Sequence, residues 1–273
     1  MDNIRNHLPD LNRLSITVST ILLAYTLTHF VSIPSQDLEL TILGIFFSLR
    51  INYTTLVTIL VAGLTASGSA WLMQDHPARE KTQNTVIHWL LPSLTSLVLM
   101  LAVNQLPFNA VWWIATAASG LGLILVLVAE YVVLNPSNRF FIPAEMGITA
   151  LSVVLFLILA ISLHAAETRL FYRVPVLSAA ALLVYLRVVH LRQRGIWALN
   201  QGSVPFILIG ELAAGLHYLP LGSIGFGIAL AGPLYALIEI SDDLPGGERE
   251  FRLEMVFWPG LIFVLSWGIA FFL

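Results

Sequence analysis

The sequence predicts an all-α polytopic integral membrane protein, and its composition and low charge carry that prediction. Hydrophobic residues make up 58% of the 273 residues and charged residues only 11%, with a mean hydropathy of +0.85. A soluble domain has about 25% charged residues, so this chain lacks the polar side chains that cover a water-facing surface. The formal net charge of −3 excludes a basic nucleic-acid surface. We therefore expect membrane lipids, and no nucleic acid, as partners.

Nine segments are apolar over enough length to cross the hydrocarbon core as helices, which takes about 20 residues each. We predict one transmembrane domain over residues 1–273 and no soluble domain, because the connections between these segments are short. The predicted spans are residues 14–33, 54–74, 88–106, 110–133, 145–165, 174–192, 203–219, 222–240 and 253–273.

Residues 38–53 have a different pattern from the nine spans. Apolar and polar residues alternate over residues 38–42 and 47–54, which is the period of a half-buried strand. Gly44 lies between the two stretches and favours a turn. We predict a short β-hairpin or re-entrant segment on the outer membrane face; the alternative is a short tenth span.

The placement of basic residues predicts the orientation of the chain. With nine spans and a cytoplasmic N-terminus, ten of the thirteen Lys and Arg residues lie on the cytoplasmic side, as the positive-inside rule requires. A tenth span, in its better orientation, lowers that number to eight. We predict a protein of the cell (plasma or inner) membrane, with its N-terminus in the cytoplasm and its C-terminus outside.

Matching residues recur at nearly constant separations along the chain. Pro92 and Pro205 differ by 113 in number, and Glu130 and Glu239 differ by 109. Four predicted spans separate the members of each pair, so the two copies would share an orientation, as in parallel transporter repeats. A parallel internal repeat is one interpretation, and chance matching among apolar helices is the other.

Glu211 is the most unusual ionisable residue, because it lies near the middle of the predicted span 203–219. A charge at that depth costs at least about 2.5–3.5 kcal/mol and is a functional-site hypothesis by default. Arg187, in the preceding span, could extend towards Glu211 and form an ion pair. The alternatives are a protonated Glu211 and a purely structural hydrogen bond.

Three more polar residues near span ends are candidates for a functional or structural role, and none of them is assigned to catalysis. Glu130 and Glu239 both end predicted spans at the inner face, and His217 ends one at the outer face. A glutamate at a span end is more often hydrated than used to carry protons, so these residues indicate function only weakly.

The histidines allow a haem or metal hypothesis. Haem iron needs axial ligands that face each other at matched depth, and two such layers can be drawn from the predicted spans. No pair of histidines has a defining spacing such as His-Glu-x-x-His, and the chain has no Cys. We therefore predict no cofactor, and keep haem or metal only as an alternative, with an outer layer of His29, His164 and His217 and an inner layer of His88 and His190.

Three functions are compatible with these features. The first is a permease-like transporter or translocator of a lipid or small amphiphile, which the many spans and Glu211 favour. The second is a non-catalytic structural or accessory subunit of a membrane complex, acting as a homo-oligomer or beside another membrane subunit. The third is an intramembrane lipid-modifying enzyme or haem or metal enzyme, which would need convergent acid, base or metal-binding groups. The sequence favours the first by a small margin.

Overall fold

The structure is a computed structural model that describes residues 8–31, 36–42, 45–51, 53–74, 76, 87–193, 195, 199–242 and 253–273. Nine α-helices and one pair of strands occur in these residues. The helices are α1 (Leu11–Phe30), α2 (Tyr53–Leu72), α3 (Ile87–Val103), α4 (Ala110–Val133), α5 (Phe141–Ala165), α6 (Leu170–Arg192), α7 (Leu199–Leu216), α8 (Ser223–Asp242) and α9 (Leu253–Phe272). The strands are β1 (Gln36–Ile42) and β2 (Ile45–Ile51).

Five helices, α2, α4, α5, α6 and α8, are long and apolar enough to cross a membrane, which makes this a helical membrane protein. Helix α3 is apolar but has only 17 residues. Helix α9 is apolar over Phe257–Phe272, the part whose side chains the structure describes. Helices α1 and α7 are more polar, because Ser and Thr recur along α1 and Asn, Gln and Glu occur in α7. A count of nine crossings therefore stays a prediction, although each helix end lies within four residues of a predicted span end.

The two strands pair in antiparallel fashion, with Gln36 opposite Ile51 and Ile42 opposite Ile45. They overlap residues 38–53, where the alternating pattern predicts a hairpin or a re-entrant segment. The position of this pair on an outer membrane face stays a prediction.

Contacts between helices divide the chain into two compact units, Met1–Leu134 and Asn135–Leu273. In unit 1, α1 packs against α2 and α4, and α3 packs against the same two helices. The interior contains Ile21, Tyr25 and Leu127, all nearly inaccessible to solvent. The Tyr25 hydroxyl donates a 2.5 Å hydrogen bond to the Ser96 carbonyl oxygen, which joins α1 to α3.

Unit 2 has the same order of neighbouring helices and one additional helix. Helix α5 packs against α6 and α8, α7 packs against the same two helices, and α9 packs against α8. The Trp267 indole N–H donates a 3.1 Å hydrogen bond to the Ala229 carbonyl oxygen, which fixes α9 on α8. The first four helices of each unit thus form the same cycle of contacts.

Glycines allow α8 to approach its neighbours closely. A Cβ on Gly225 would lie 2.6 Å from the Ala270 carbonyl oxygen of α9, and one on Gly227 would lie 2.6 Å from Ile161 of α5. Small residues in membrane helices allow this closeness. Gly225 and Gly227 thus allow α8 to pack closely against α9 and α5, respectively.

We expect Gly225→Ala to destabilise unit 2. The added methyl group would meet a backbone carbonyl that cannot move without shifting α9, and overpacking of this kind costs about 1–3 kcal/mol. Thermal unfolding of the purified chain in detergent measures the effect. Gly260→Ala is the matched control, because a Cβ there meets nothing within 4 Å; equal melting temperatures for the two variants would contradict the packing described.

Candidate binding pocket

The turn between α5 and α6 forms one wall of a polar cavity in unit 2. Helix α5 ends in a left-handed residue, Glu167, with φ of +49°, and the Glu167 N–H donates to the His164 carbonyl oxygen at 3.0 Å. The Thr168 hydroxyl donates to the Leu163 carbonyl oxygen at 2.9 Å. A residue in this conformation commonly closes a helix by satisfying its last carbonyls, so the turn has a defined shape.

Arg173, in the first turn of α6, lies at the centre of this end of unit 2 and is only 3% exposed. Its Nη2 donates to the Thr168 carbonyl oxygen at 2.9 Å. Its Nη1 lies 3.2 Å from His164 Nδ1 and 3.0 Å from His217 Nδ1. The guanidinium therefore joins the end of α5, the start of α6 and the residue just after α7.

The two contacts to Arg173 define the protonation of both histidines. A guanidinium can only donate hydrogen bonds, so Nδ1 of His164 and Nδ1 of His217 are acceptors. Each ring then carries its proton on Nε2. His164 has a backbone hydrogen bond with Leu221, which uses its Nε2–H. Arg173 thus orients two imidazoles, of which His217 keeps an N–H group that can bind an anion.

Phe226 of α8 packs against both His164 and Arg173 of this cluster. Its ring centroid lies 4.3 Å from that of His164, and the Arg173 guanidinium carbon lies 5.5 Å from it. A cation near an aromatic ring is stabilised by the ring's quadrupole. The aromatic ring therefore provides part of the stabilisation that a buried cation needs.

The cavity above this cluster has a volume of about 490 Å³. With both histidines neutral, its two arginines outnumber its single carboxylate, Glu167, so its field is positive. We call this cavity the Arg173 pocket; its lining residues are His164, Glu167, Thr168, Arg169, Leu170, Arg173, His217 and Leu219.

Arg173 contacts no carboxylate among the residues that the structure describes. A buried charge is costly unless it is paired, and neutral imidazoles and one phenyl ring compensate it only in part. A bound anion would complete the pairing, so the chemistry of this pocket is that of an anion site.

A second cavity of about 430 Å³ lies at the opposite ends of α5, α6 and α8. In it Arg192 Nη2 donates to Glu239 Oε1 at 3.1 Å, and Glu145 and Gln193 stand beside the pair. We call it the Glu239 pocket; its lining residues are Ile142, Glu145, Met146, Thr149, Arg192, Gln193 and Glu239.

Unit 1 contains a buried acid–histidine pair at the end of α4. His88 Nδ1 lies 2.8 Å from Glu130 Oε2, and the Glu130 side chain is completely buried. His76 packs its ring on Tyr131 with centroids 4.5 Å apart. Burial, with a smaller repulsion from His88, lowers the pKa of His76 below its ordinary value.

The structure does not bring Glu211 and Arg187 together in an ion pair. Glu211 is exposed in the middle of α7 and has no hydrogen bond or ion pair among the described residues. Arg187 is 2% exposed within unit 2. The carboxylate therefore lies on the surface of its unit.

The structure brings together some of the histidines that were considered as haem or metal ligands and separates others. His164 and His217 share Arg173, whereas His29 lies in unit 1, its ring centroid 4.8 Å from that of Trp112. His88 belongs to α3 of unit 1 and His190 to α6 of unit 2. Among the described residues, no group of three or more His, Asp or Glu residues could hold a metal ion.

Arg173 was not predicted as a site residue. In the sequence it is only one of the basic residues near span ends that predict the orientation of the chain. A usable indication was present: His164, Arg173 and His217 each lie close to the end of a predicted span on the same predicted side. Three such groups on consecutive spans predict a shared polar cluster.

We expect the stability of the protein to fall as the pH drops below about 6.5, the ordinary pKa of histidine. The folded chain holds His76 with a lowered pKa, so the unfolded chain binds more protons in this range and acid favours unfolding. Melting temperatures measured from about pH 7.5 down to about pH 5.5 test this.

The matched variant is His76→Phe, which keeps a ring against Tyr131 and removes the titration. The neighbouring ionisable residues His88, Glu130 and Tyr131 are the same in both proteins. We expect a smaller acid-induced fall in melting temperature for the variant. The same fall in both proteins would show that His76 does not carry the effect.

Residues 33–273 match the family described as "Protein of unknown function (DUF5656)", and the chain belongs to that family. No curated protein and no solved structure matches the chain. The family's description names no activity, so the function proposed below rests on the geometry of the pockets.

Proposed function

We propose that this member of a family of unknown function is a permease-like translocator that binds the anionic group of a lipid or small amphiphile in the Arg173 pocket. The observation that carries the proposal is the buried Arg173 guanidinium, which contacts no carboxylate among the described residues. A ligand anion would supply the charge that the pocket lacks.

The ligand class follows from the donors that remain in the pocket. The Nε2–H group of His217, one remaining Arg173 Nη2–H and the exposed Arg169 side chain can all donate. Phosphate and carboxylate oxygens are the acceptors that such a set binds best. Because apolar helices surround the pocket, an anion attached to an acyl chain or another apolar body fits better than a free ion.

The proposed membrane arrangement keeps all nine helices as crossings, with a cytoplasmic N-terminus and an external C-terminus in the cell membrane. The β1–β2 pair would lie on the outer face. In this arrangement the Arg173 pocket opens at the outer rim and the Glu239 pocket at the inner rim. The distribution of Lys and Arg supports this orientation.

We further propose that α1–α4 and α5–α8 are the two copies of a parallel internal repeat. The identical cycle of helix contacts supports it, as do two glutamates in the last turns of equivalent helices, Glu130 in α4 and Glu239 in α8. The basic partners of the two glutamates come from helices that are not equivalent, His88 of α3 and Arg192 of α6. Parallel repeats are common in transporters.

We expect Arg173→Gln to lower the rate at which reconstituted protein moves tail-labelled phosphatidylglycerol across vesicle membranes by about tenfold or more. Losing one charge-assisted hydrogen bond costs about 1.5–3 kcal/mol, which is at least a tenfold change in affinity. Quenching of the label in the outer leaflet measures the rate. Arg173→Lys should lie between wild type and Gln, because it keeps the charge and loses the planar donors.

Two further variants distinguish an effect on the pocket from an effect on folding. Arg169→Gln removes an exposed cation from the same cavity and should reduce transport without affecting stability. Arg139→Gln removes an exposed arginine that lines neither pocket and should leave the rate unchanged. No transport by the wild-type chain, or equal rates for Arg169→Gln and Arg139→Gln, would reject the proposal.

A second function, an accessory subunit of a membrane complex, is supported by the exposed Glu211. A carboxylate on the outer surface in the middle of α7 costs free energy in lipid, and a polar or basic group on a neighbouring chain would compensate it. The exposed apolar side chains Val204 and Ile207 lie on the same helix.

We expect Glu211→Gln to weaken such a complex, because the amide has no charge to pair. Native electrophoresis of membranes solubilised in mild detergent would show the wild-type chain in a larger species and the variant at the mobility of the single chain. Glu167→Gln, which removes an exposed carboxylate outside α7, is the control. A wild-type chain that already migrates alone would argue against the subunit role.

A further inference from the structure

Glu167 has a backbone conformation that is unusual for its residue type. With φ of +49°, it is the only non-glycine residue with a positive φ in the part of the chain that the structure describes. It directly follows the C-cap of α5, a position where glycine is most common because a Cβ is unfavourable in the left-handed region. Backbone strain of this kind often occurs where a side chain contacts a ligand. The Glu167 carboxylate is therefore a candidate ligand contact in the Arg173 pocket.

The side chains of Glu167 and Arg169 are both available to a ligand. Both residues are exposed and line the Arg173 pocket. Neither side chain has a hydrogen bond or an ion pair with a described residue, and they do not pair with each other. The carboxylate can therefore accept hydrogen bonds from a ligand, and the guanidinium can donate them.

The charges of the pocket favour a ligand with one net negative charge. Arg169 and Arg173 contribute two positive charges and Glu167 one negative charge, while Arg173 holds His164 and His217 in their neutral forms. None of these five residues contacts a further charged group among the described residues. A phosphodiester with an uncharged headgroup would bring the sum to zero. A zwitterionic phosphodiester would leave one positive charge uncompensated, which is costly beside a buried guanidinium.

The Glu167 carboxylate determines what the headgroup of such a ligand must offer. An ionised carboxylate can only accept hydrogen bonds, so a headgroup that lies beside it must donate them. Ammonium and hydroxyl groups are the donors that lipid headgroups carry, and the charge of the pocket disfavours the ammonium. A headgroup with hydroxyl groups and no charge remains.

Two leucines give the same cavity an apolar part. Leu170 and Leu219 line it beside the charged residues, and Leu219 is exposed. The apolar portion of a lipid would cover this surface and remove it from water, which is favourable. A free phosphodiester would leave the leucines uncovered, so a lipid fits the pocket better.

We propose that the Arg173 pocket binds lipids whose phosphodiester carries an uncharged polyol headgroup, as phosphatidylglycerol does, and that Glu167 determines this specificity. Arg173 and His217 donate to the phosphate, and the headgroup hydroxyls donate to Glu167. The inference rests on the anion site of the proposed function and adds the class of headgroup and the residue that selects it. A ligand contact also gives a reason for a glutamate at a position that favours glycine.

Native mass spectrometry of the full chain in detergent measures the headgroup preference. The chain is titrated separately with phosphatidylglycerol, phosphatidylpropanol and phosphatidylethanolamine, all with the same acyl chains. The first two lipids have the same charge and differ in two hydroxyl groups. We expect phosphatidylglycerol to bind about tenfold more tightly than phosphatidylpropanol, because hydrogen bonds to a charged acceptor are lost, and both to bind more tightly than phosphatidylethanolamine. Equal affinities for the first two lipids, or tighter binding of phosphatidylethanolamine, would overturn the proposal.

Glu167→Gly identifies the residue that selects the headgroup. Glycine adopts a positive φ without a steric penalty, so the variant keeps the turn and loses only the carboxylate. We expect it to bind phosphatidylglycerol and phosphatidylpropanol equally. Glu211→Gln is the control, because it removes an exposed carboxylate that lines neither pocket and should keep the full preference. An unchanged preference in Glu167→Gly would overturn the assignment to Glu167.

Arg173→Gln distinguishes a failure of this inference from a failure of the anion site. We expect it to weaken the binding of phosphatidylglycerol and phosphatidylpropanol by the same factor, so that the preference between them persists. Wild-type affinities for both lipids in this variant would reject the anion site and the inference together. Weaker binding of both, with no preference in the wild-type chain, would reject only the headgroup assignment.

A water-soluble competitor distinguishes a lipid from a free phosphodiester. Glycerophosphoglycerol has the headgroup of phosphatidylglycerol and no acyl chains. We expect it to displace phosphatidylglycerol only weakly, because it does not cover the two leucines. Competition as strong as that of the lipid itself would overturn the lipid assignment.

Discussion

The structure depends on one constraint, which is that lipid offers no hydrogen bonds to a polypeptide. Each crossing must then satisfy its own backbone and be helical, and ionisable side chains collect where helices end. The three polar clusters described here follow this rule: His88 meets Glu130, Arg192 meets Glu239, and Arg173 meets two histidines. These three polar clusters therefore lie near the ends of helices rather than at their centres.

Unit 2 uses that constraint to place opposite charges at its two ends. The end around Arg173 has an excess of cations, and the end around Glu239 has an excess of carboxylates. Residues of α5 and α6 line both cavities, so the same two helices extend from one cavity to the other.

Hydropathy and period were sufficient to predict the helices, and they were insufficient for the site. Each helix end lies within four residues of a predicted span end, because a long apolar run in lipid has few alternatives. The partners of individual side chains depend on helix rotation, which a span prediction does not contain. For this reason Glu211 could be expected to meet Arg187, while in the structure it is exposed. The pairs at Glu130 and Glu239 join residues 42 and 47 positions apart, which no local pattern predicts.

The turn at Thr168 has a consequence for the kinetics of any ligand. Two hydrogen bonds from Thr168 to the Leu163 carbonyl oxygen and one from Arg173 to the Thr168 carbonyl oxygen hold the turn in place. The turn loses its conformational entropy when the chain folds, so ligand binding does not have to order it. Ligands of the Arg173 pocket would then be expected to differ mainly in their dissociation rates.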